Sequence, residues 1–502
     1  MVTFTRKKIL FIGVLSFVLM IGSCDKEEPI EPPPPATTGT VSGNVISAVD
    51  SSAVETALIT VNPGGYSVYT DNTGSYTLAD LPEGQYLVVA SKKGFSVDSA
   101  DVPVVAGQTV TADFSLTPEI DIIKWQFITD KQIYYSTPAI DDKGIIYIGT
   151  GMYLWTTSGS LYAINPDGTL KWKYDLNNNA TSPVIGEDGT IYIMDRKNVL
   201  YAIDQGGILK WIYNEWDNDD FAEVGQRTVA IGNDNTLYVY VGSDLYAVNA
   251  DGTRKWKFDL NRGGSPCGAS PVVGSDSTIY AILGGDILYA VKPDGTLKWK
   301  FYLENYDEHS YTSPTLDAND VIYFGTENSE GGYVYAVYPN GILKWRILAG
   351  SLRPVRASSV IGMDGTIYIA TKAYSHRQPA EVLAISPEGK INWRFTVESI
   401  HFTPDDVYST PAIGADGLIY FTAETGFIYA LNPDGTLNWK QDLECGINWS
   451  SPTLIDDGTI YIGGLKNDGG SLFAVQSDSP GLAGSPWPTF RQNNKNTGRI
   501  NK

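Results

Sequence analysis

The chain has 502 residues, 57 of them acidic and 36 basic, with a formal net charge of −21 and an isoelectric point near 4.5. So negative a protein repels phosphate backbones, which argues against nucleic acid as a partner. Three cysteines cannot form a disulfide framework in a chain of this length, and 51 glycines, 31 tyrosines and 12 tryptophans without helical periodicity predict an all-β protein with many turns.

In chain order, Arg6-Lys7-Lys8 and the apolar run Ile9 to Ile21 read as a secretory signal, too short to span a membrane. The run ends in Ile21-Gly22-Ser23-Cys24. This resembles the lipobox of bacterial lipoproteins, which implies lipidation of Cys24, removal of residues 1–23 and attachment to a membrane through the lipid. The next residues, Asp25-Lys26-Glu27-Glu28, resemble the export signal of surface-exposed lipoproteins in the Bacteroidetes, which implies the outer face of the outer membrane. Pro29 and Glu31-Pro32-Pro33-Pro34-Pro35 favour polyproline II geometry, so residues 24–37 are expected to form a semi-rigid tether.

Between residues 38 and 117, short runs alternate apolar and polar residues: Val41–Val45, Ala57–Val61, Ser75–Leu78, Gln85–Ala90 and Thr109–Leu116. Period-two alternation broken by Gly, Pro and Asn predicts a half-buried antiparallel sandwich. The series Thr70-Asp71-x-x-Gly74-x-Tyr76-x-Leu78-x-x-Leu81-x-x-Gly84-x-Tyr86 resembles the carboxypeptidase regulatory-like domain, a small transthyretin-like sandwich without a peptidase site. Asp71 and Gly74 are read as turn residues.

From residue 120 to about 500 the chain repeats itself, and a tryptophan within a strand marks each copy: Trp125, Trp172, Trp211, Trp256, Trp299, Trp345, Trp393 and Trp439. Intervals of 39 to 48 residues suit one four-stranded propeller blade. Tight Asp-Gly or Asn-Gly reversals, such as Asp167-Gly168 and Asn340-Gly341, precede most of these strands and force antiparallel pairing. Eight short apolar runs open the repeats, from Ser136-Thr137-Pro138 to Ser451-Pro452, with degenerate copies at Thr228-Val229-Ala230 and Ser358-Ser359-Val360. They predict innermost strands and eight blades. Ile122–Phe127 has no earlier partner and the last repeat lacks its own Trp strand, so the N-terminal strand is expected to complete the final blade and protect its edge. The tail from Pro486 to Arg499 is expected to pack back on the ring as a latch.

Leu161-Tyr162-Ala163-Ile164-Asn165-Pro166-Asp167-Gly168-Thr169-Leu170-Lys171-Trp172 and its copies resemble the pyrroloquinoline-quinone-like propeller repeats of the quinoproteins. Quinone dehydrogenases of that superfamily carry adjacent cysteines and a Glu, Asn and Asp set for calcium; here no two cysteines are adjacent. Cys267 and Cys445, far apart around the ring, are expected to be unpaired core residues. His309, His376 and His401 lie in different repeats without metal-ligand spacing. No nucleophile elbow, zincin motif or phosphate loop occurs. No catalytic residue, metal or cofactor is therefore assigned, although two carboxylates about 5–10 Å apart for glycoside hydrolysis could come from distant blades, and the sequence leaves that open.

The reading is a non-catalytic envelope lipoprotein whose propeller binds or scaffolds a protein or glycan. Departures from the repeat mark candidate contact loops around Trp155, Trp216, His376 and Trp449. Two alternatives follow from resemblance: a propeller lipoprotein that assists outer-membrane β-barrel assembly, and a quinone-dependent dehydrogenase.

Overall fold

The computed structural model describes residues 38–48, 51–92, 95, 97–117, 122–151, 158–216, 227–241, 244–259, 269–283, 286–305, 307–374, 378–397, 405–466 and 469–500. The signal, Cys24 and the tether lie outside the described residues, as do Trp155, Cys267, His376 and His401. The chain divides into two units, residues 1–119 and 120–502. Among the described residues every regular element is a strand.

In the first unit two four-stranded sheets share one core. Thr38–Ser47 is antiparallel to Ser75–Pro82 and parallel to both Thr109–Thr111 and Phe114–Leu116; the second sheet runs Ser67–Tyr69, Leu58–Asn62, Gly84–Ser91, Asp98–Val104. Alternation turns Val41, Val45, Ile59, Val61, Tyr76, Leu78, Val88, Val102 and Phe114 inward. The expected strand Thr109–Leu116 is broken at Asp113, whose carboxylate accepts the Asn44 amide at 2.8 Å. Two strands went unanticipated, Ser67–Tyr69 and Asp98–Val104. Both pair on one side only, and an edge tolerates the aspartates and Pro103 that obscured the second. Asp71 is a turn residue as expected: its Oδ1 accepts the Thr73 hydroxyl at 2.6 Å and the Thr73 amide at 2.8 Å.

The second unit holds eight four-stranded antiparallel sheets, each in simple sequence order except the last. The first is Ala139–Ile140, Ile146–Thr150, Gly159–Ile164, Leu170–Leu176. The last is Thr453–Leu454, Thr459–Lys466, Gly469–Gln476 and then Ile123–Thr129 from the start of the unit. That borrowed strand adopts the common register: Ala474 faces Trp125 just as Ala163 faces Trp172 and Ala430 faces Trp439, a small residue beside a large one. Second and third strands are buried on both faces because a neighbouring sheet packs on each; outer strands alternate.

The ruler tryptophans join one sheet to the next. Trp125 Nε1 donates to the Pro166 carbonyl at 3.0 Å, and Trp172, Trp211, Trp256, Trp299, Trp345 and Trp393 repeat the bond to Gln205, Ala250, Pro293, Pro339, Pro387 and Pro433. Each ring lies beneath the glycine of that next turn. At Gly435, with φ of +87°, a Cβ would stand 2.6 Å from the Trp393 ring, so the turn needs glycine for its backbone angle and again for the space. Trp439 faces the last sheet, whose third and fourth strands come from opposite ends of the unit and form no hairpin turn.

Hydroxyl groups at the inner starts link the same neighbours around the axis. Backbone amides of Thr137, Thr228, Ser270, Ser313 and Thr410 donate to the hydroxyls of Ser182, Ser270, Ser313, Ser358 and Ser451 at 2.9–3.0 Å. The Thr228 hydroxyl donates to the Ser182 carbonyl, and the Ala373 amide to Asp406, supplying the second-to-third and sixth-to-seventh links. The Ser451 amide returns to the Thr137 hydroxyl at 3.1 Å, joining the eighth sheet to the first. The Ser-Pro signature is thus a contact between sheets as well as a strand start.

The tail does more than latch. Its carbonyls accept the amides that end the innermost strands: Trp487 from Ile361, Pro488 from Ile413, Asn494 from Ile140, Lys495 from Ile185, Thr497 from Ile231 and Gly498 from Val273. The Thr489 hydroxyl reaches Pro452 of the eighth sheet, and Trp487 and Ile500 join the cluster that contains Leu316 of the fifth. A segment of some 15 residues that bonds at seven of the eight innermost strands runs around the inside of the ring. Arg491, 2 % exposed, follows the contact with the eighth sheet yet donates to Val229 and Pro271 of the third and fourth. Its side chain therefore reaches across the ring. Burial lowers the guanidinium's pKa, and main-chain carbonyls take the place of a carboxylate partner.

Candidate functional site at the uncovered mouth of the bore

The tail bonds the amides that end the innermost strands and also the carbonyls of Pro138, Pro183, Pro271 and Pro452 directly ahead of them, so the mouth away from the tail is lined by residues further upstream. Three positions ahead of the Pro in successive repeats stand Tyr311, Arg356, Tyr408 and Trp449, from the fifth, sixth, seventh and eighth sheets, with Ser359 in the place of Pro in the sixth. All four are half-buried. The Arg356 guanidinium lies 4.9 Å from the centre of the Tyr311 ring, and the Tyr408 and Trp449 rings lie against each other, centroids 4.4 Å apart and tilted by 32°. Tyr135 holds the equivalent position in the first sheet, with Arg196 5.3 Å from its ring centre and Tyr134 edge-on at 4.4 Å.

Carboxylates fix this arc from behind. Glu327 grips Arg356 with two bonds of 2.7 and 2.8 Å, and that pairing raises the arginine further above its already high range. Asp406 accepts the Tyr408 hydroxyl at 2.8 Å and the Ala373 amide at 3.0 Å, while Lys372 stands 3.6 Å from the same carboxylate. Burial, with the Asp406 charge beside it, drives the Tyr408 phenol upward, so it stays a donor. Asp405 binds the Thr425 hydroxyl and amide at 2.5 and 2.9 Å, and burial raises it; Glu424 is raised by burial and then by Asp406 and Asp405.

Of the anticipated contact residues, Trp449 stands in the arc. Trp216 does not: it lies between Tyr213 and Tyr246 at 4.5 and 4.9 Å and donates Nε1 to the Asn198 carbonyl at 2.6 Å, packing the second sheet against the third. Cys445 is buried, and its thiol is pushed up to about 12 by that burial. Reading the repeats as columns three residues ahead of Pro would have exposed Tyr135, Tyr311 and Tyr408, which no irregularity of loop length marks.

The family model for the outer membrane protein assembly factor BamB matches residues 123–252 and 241–426, well over half of the chain. The chain belongs to the BamB family. The carboxypeptidase regulatory-like domain matches residues 40–117. No curated protein matches the sequence. Among solved structures, BamB from Moraxella catarrhalis is 15% identical, covering 70% of this chain and 98% of its own, with a TM-score of 0.52. Quinohemoprotein alcohol dehydrogenase from Comamonas testosteroni is 14% identical over 71% of this chain and 77% of its own, TM-score 0.52. The C-terminal WD40 domain of Sif2 is 12% identical over 71% and 98%, TM-score 0.54. At these identities the likeness shows the β-propeller fold alone.

No two cysteines are adjacent in the chain, and no three His, Cys, Asp or Glu side chains among the described residues gather as they would around a metal ion.

Proposed function

We propose that this BamB-family propeller is a non-catalytic lipoprotein, anchored through Cys24 at the outer membrane and exposed at the cell surface, that binds a protein or glycan at the uncovered mouth of its bore. One observation supports this above the rest: four consecutive sheets contribute Tyr311, Arg356, Tyr408 and Trp449 at equivalent positions, in two contacting pairs, while the tail bonds along the ends of the innermost strands. A ring of packed strands holds such side chains rigidly, so little ordering entropy is lost on binding. Pull-down and glycan-array measurements on the purified protein test the reading. A stable partner whose capture falls with Trp449→Ala supports it; reproducible turnover without a stable ligand contradicts it.

The family match favours a second reading, an assembly-type role at the outer membrane. Protease shaving of intact cells separates the two: cleavage favours surface capture, and protection that is lost on lysis favours assembly from the inner leaflet.

A further inference from the structure

We propose that Asp405, Asp406 and Glu424 form a proton-operated catch at the seam of the sixth, seventh and eighth sheets, closed in mild acid and loosened as the solution turns alkaline. The backbone brings the three acids together. Asp405 and Asp406 precede the innermost strand of the seventh sheet, and Glu424 stands in the turn between that sheet's second and third strands. The two segments are tied directly: the Glu424 amide donates to the Asp406 carbonyl at 2.9 Å, and Thr425 donates its amide and hydroxyl to Asp405. The same residues reach both neighbouring sheets. Asp406 accepts the Ala373 amide from the sixth at 3.0 Å, and the Glu424 carbonyl accepts the amide of Ile447, ahead of the eighth, at 3.1 Å.

The three carboxylates are unequally provided for. Asp405 has the two Thr425 donors, and Asp406 has the Ala373 amide, the Tyr408 hydroxyl and Lys372 at 3.6 Å. Glu424 is half-buried, yet among the described residues its carboxylate has no hydrogen-bond donor and no ion pair. Asp406 and Asp405 repel its ionised form, and Lys372 alone attracts it. That lysine is shared with Asp406 and with the Tyr408 ring, 5.7 Å away. Tyr408 also faces Glu424 and stays a neutral donor to Asp406, while Arg356 beside it is held by Glu327. Burial and these neighbours hold the protons of Glu424 and Asp405 above the ordinary carboxylate range. With Glu424 protonated, the turn and the loop meet without repulsion. With it ionised, three like charges share one lysine, and the contact that joins the two segments is pushed apart.

The direction with pH follows. The folded chain keeps a proton that the unfolded chain releases near 4.5, the ordinary value for Glu424, so there is no penalty below that value. Stability then falls as pH rises through the raised folded values. Thermal melts of the full-length protein from about pH 4 to about pH 9 test this. Glu424→Gln should melt with the wild type at the acid end and above it at the alkaline end. Glu388→Gln, which removes an exposed acid from an outer turn of the sixth sheet, should follow the wild type throughout. Lys372→Met should steepen the alkaline decline, and adding Glu424→Gln should restore part of it. Hydrogen–deuterium exchange, corrected for its intrinsic pH dependence, locates the change: residues 405–410, 423–426 and 446–450 should lose protection toward alkaline pH in the wild type and keep it in Glu424→Gln. Parallel melting curves for the wild type and Glu424→Gln, a lower alkaline midpoint for that variant, or a loss of protection that it leaves in place would each overturn the proposal. These readouts need no partner, so the catch and the binding role stand or fall separately.

Discussion

Gly417 and Gly435 sit in two turns of the seventh sheet with nearly the same backbone angle, φ +85° and +87°, but with different surroundings. A Cβ at Gly417 meets only Pro433 Cγ at 3.2 Å, whereas one at Gly435 meets the Trp393 ring at 2.6, 2.8 and 2.9 Å. Gly417→Ala should therefore cost the left-handed strain alone, about 1–2 kcal/mol. Gly435→Ala must also displace Trp393, giving up its bond to Pro433, about 1 kcal/mol, and repacking the ring, about 1–3 kcal/mol. The total is about 3–6 kcal/mol. Unfolding entropy of roughly 2.1 cal/mol/K per residue gives about 0.8 kcal/mol/K for residues 120–502. Thermal melts followed by tryptophan fluorescence should then fall by about 1–3 °C for Gly417→Ala and about 4–7 °C for Gly435→Ala. Equal shifts for the two variants would refute the idea that the ruler tryptophans weld adjacent sheets through these glycines.

Three further outcomes follow from the same contacts. Trp487→Ala removes a ring that is 2 % exposed where the tail meets the sixth sheet; a core tryptophan costs about 3–5 kcal/mol, so differential scanning calorimetry should show a loss of about 4–6 °C, and an unchanged midpoint would mean that the tail is not seated in the bore. Trp216→Ala should lower the melting temperature by a few degrees, about 2 kcal/mol for a half-buried ring, yet leave partner capture intact, whereas Trp449→Ala should do the reverse; loss of capture with Trp216→Ala would restore that tryptophan as a contact residue. Cys445, with its thiol raised to about 12, exposes almost no thiolate near neutrality. Mass spectrometry of its peptide should find iodoacetamide adducts only after unfolding, and rapid labelling of the native protein would contradict its placement in the core.

The fold was legible wherever a local rule repeats. Asp-Gly reversals, alternating strands and a tryptophan every 39 to 48 residues specify four strands per copy, and the unpartnered Ile122–Phe127 run pointed to its place beside Gly469–Gln476. What stayed hidden depends on contacts distant in sequence. Arg491 resembles any polar tail residue until the third and fourth sheets supply the carbonyls it binds. Trp216 and Trp449 both stand in irregular segments, and only tertiary packing separates the one between two tyrosines from the one in the arc. Asp98–Val104 reads as a polar loop because an edge strand needs only one good partner.

The central claim is that the mouth opposite the tail is where this protein meets its ligand, and hydrogen–deuterium exchange of the full chain with and without the captured partner tests it most directly. Protection should rise at the amides of residues 311–313, 408–410 and 449–451, with residues 487–498 unchanged. Protection confined to the outer strands or to the tail, with those three segments exchanging as before, would contradict it.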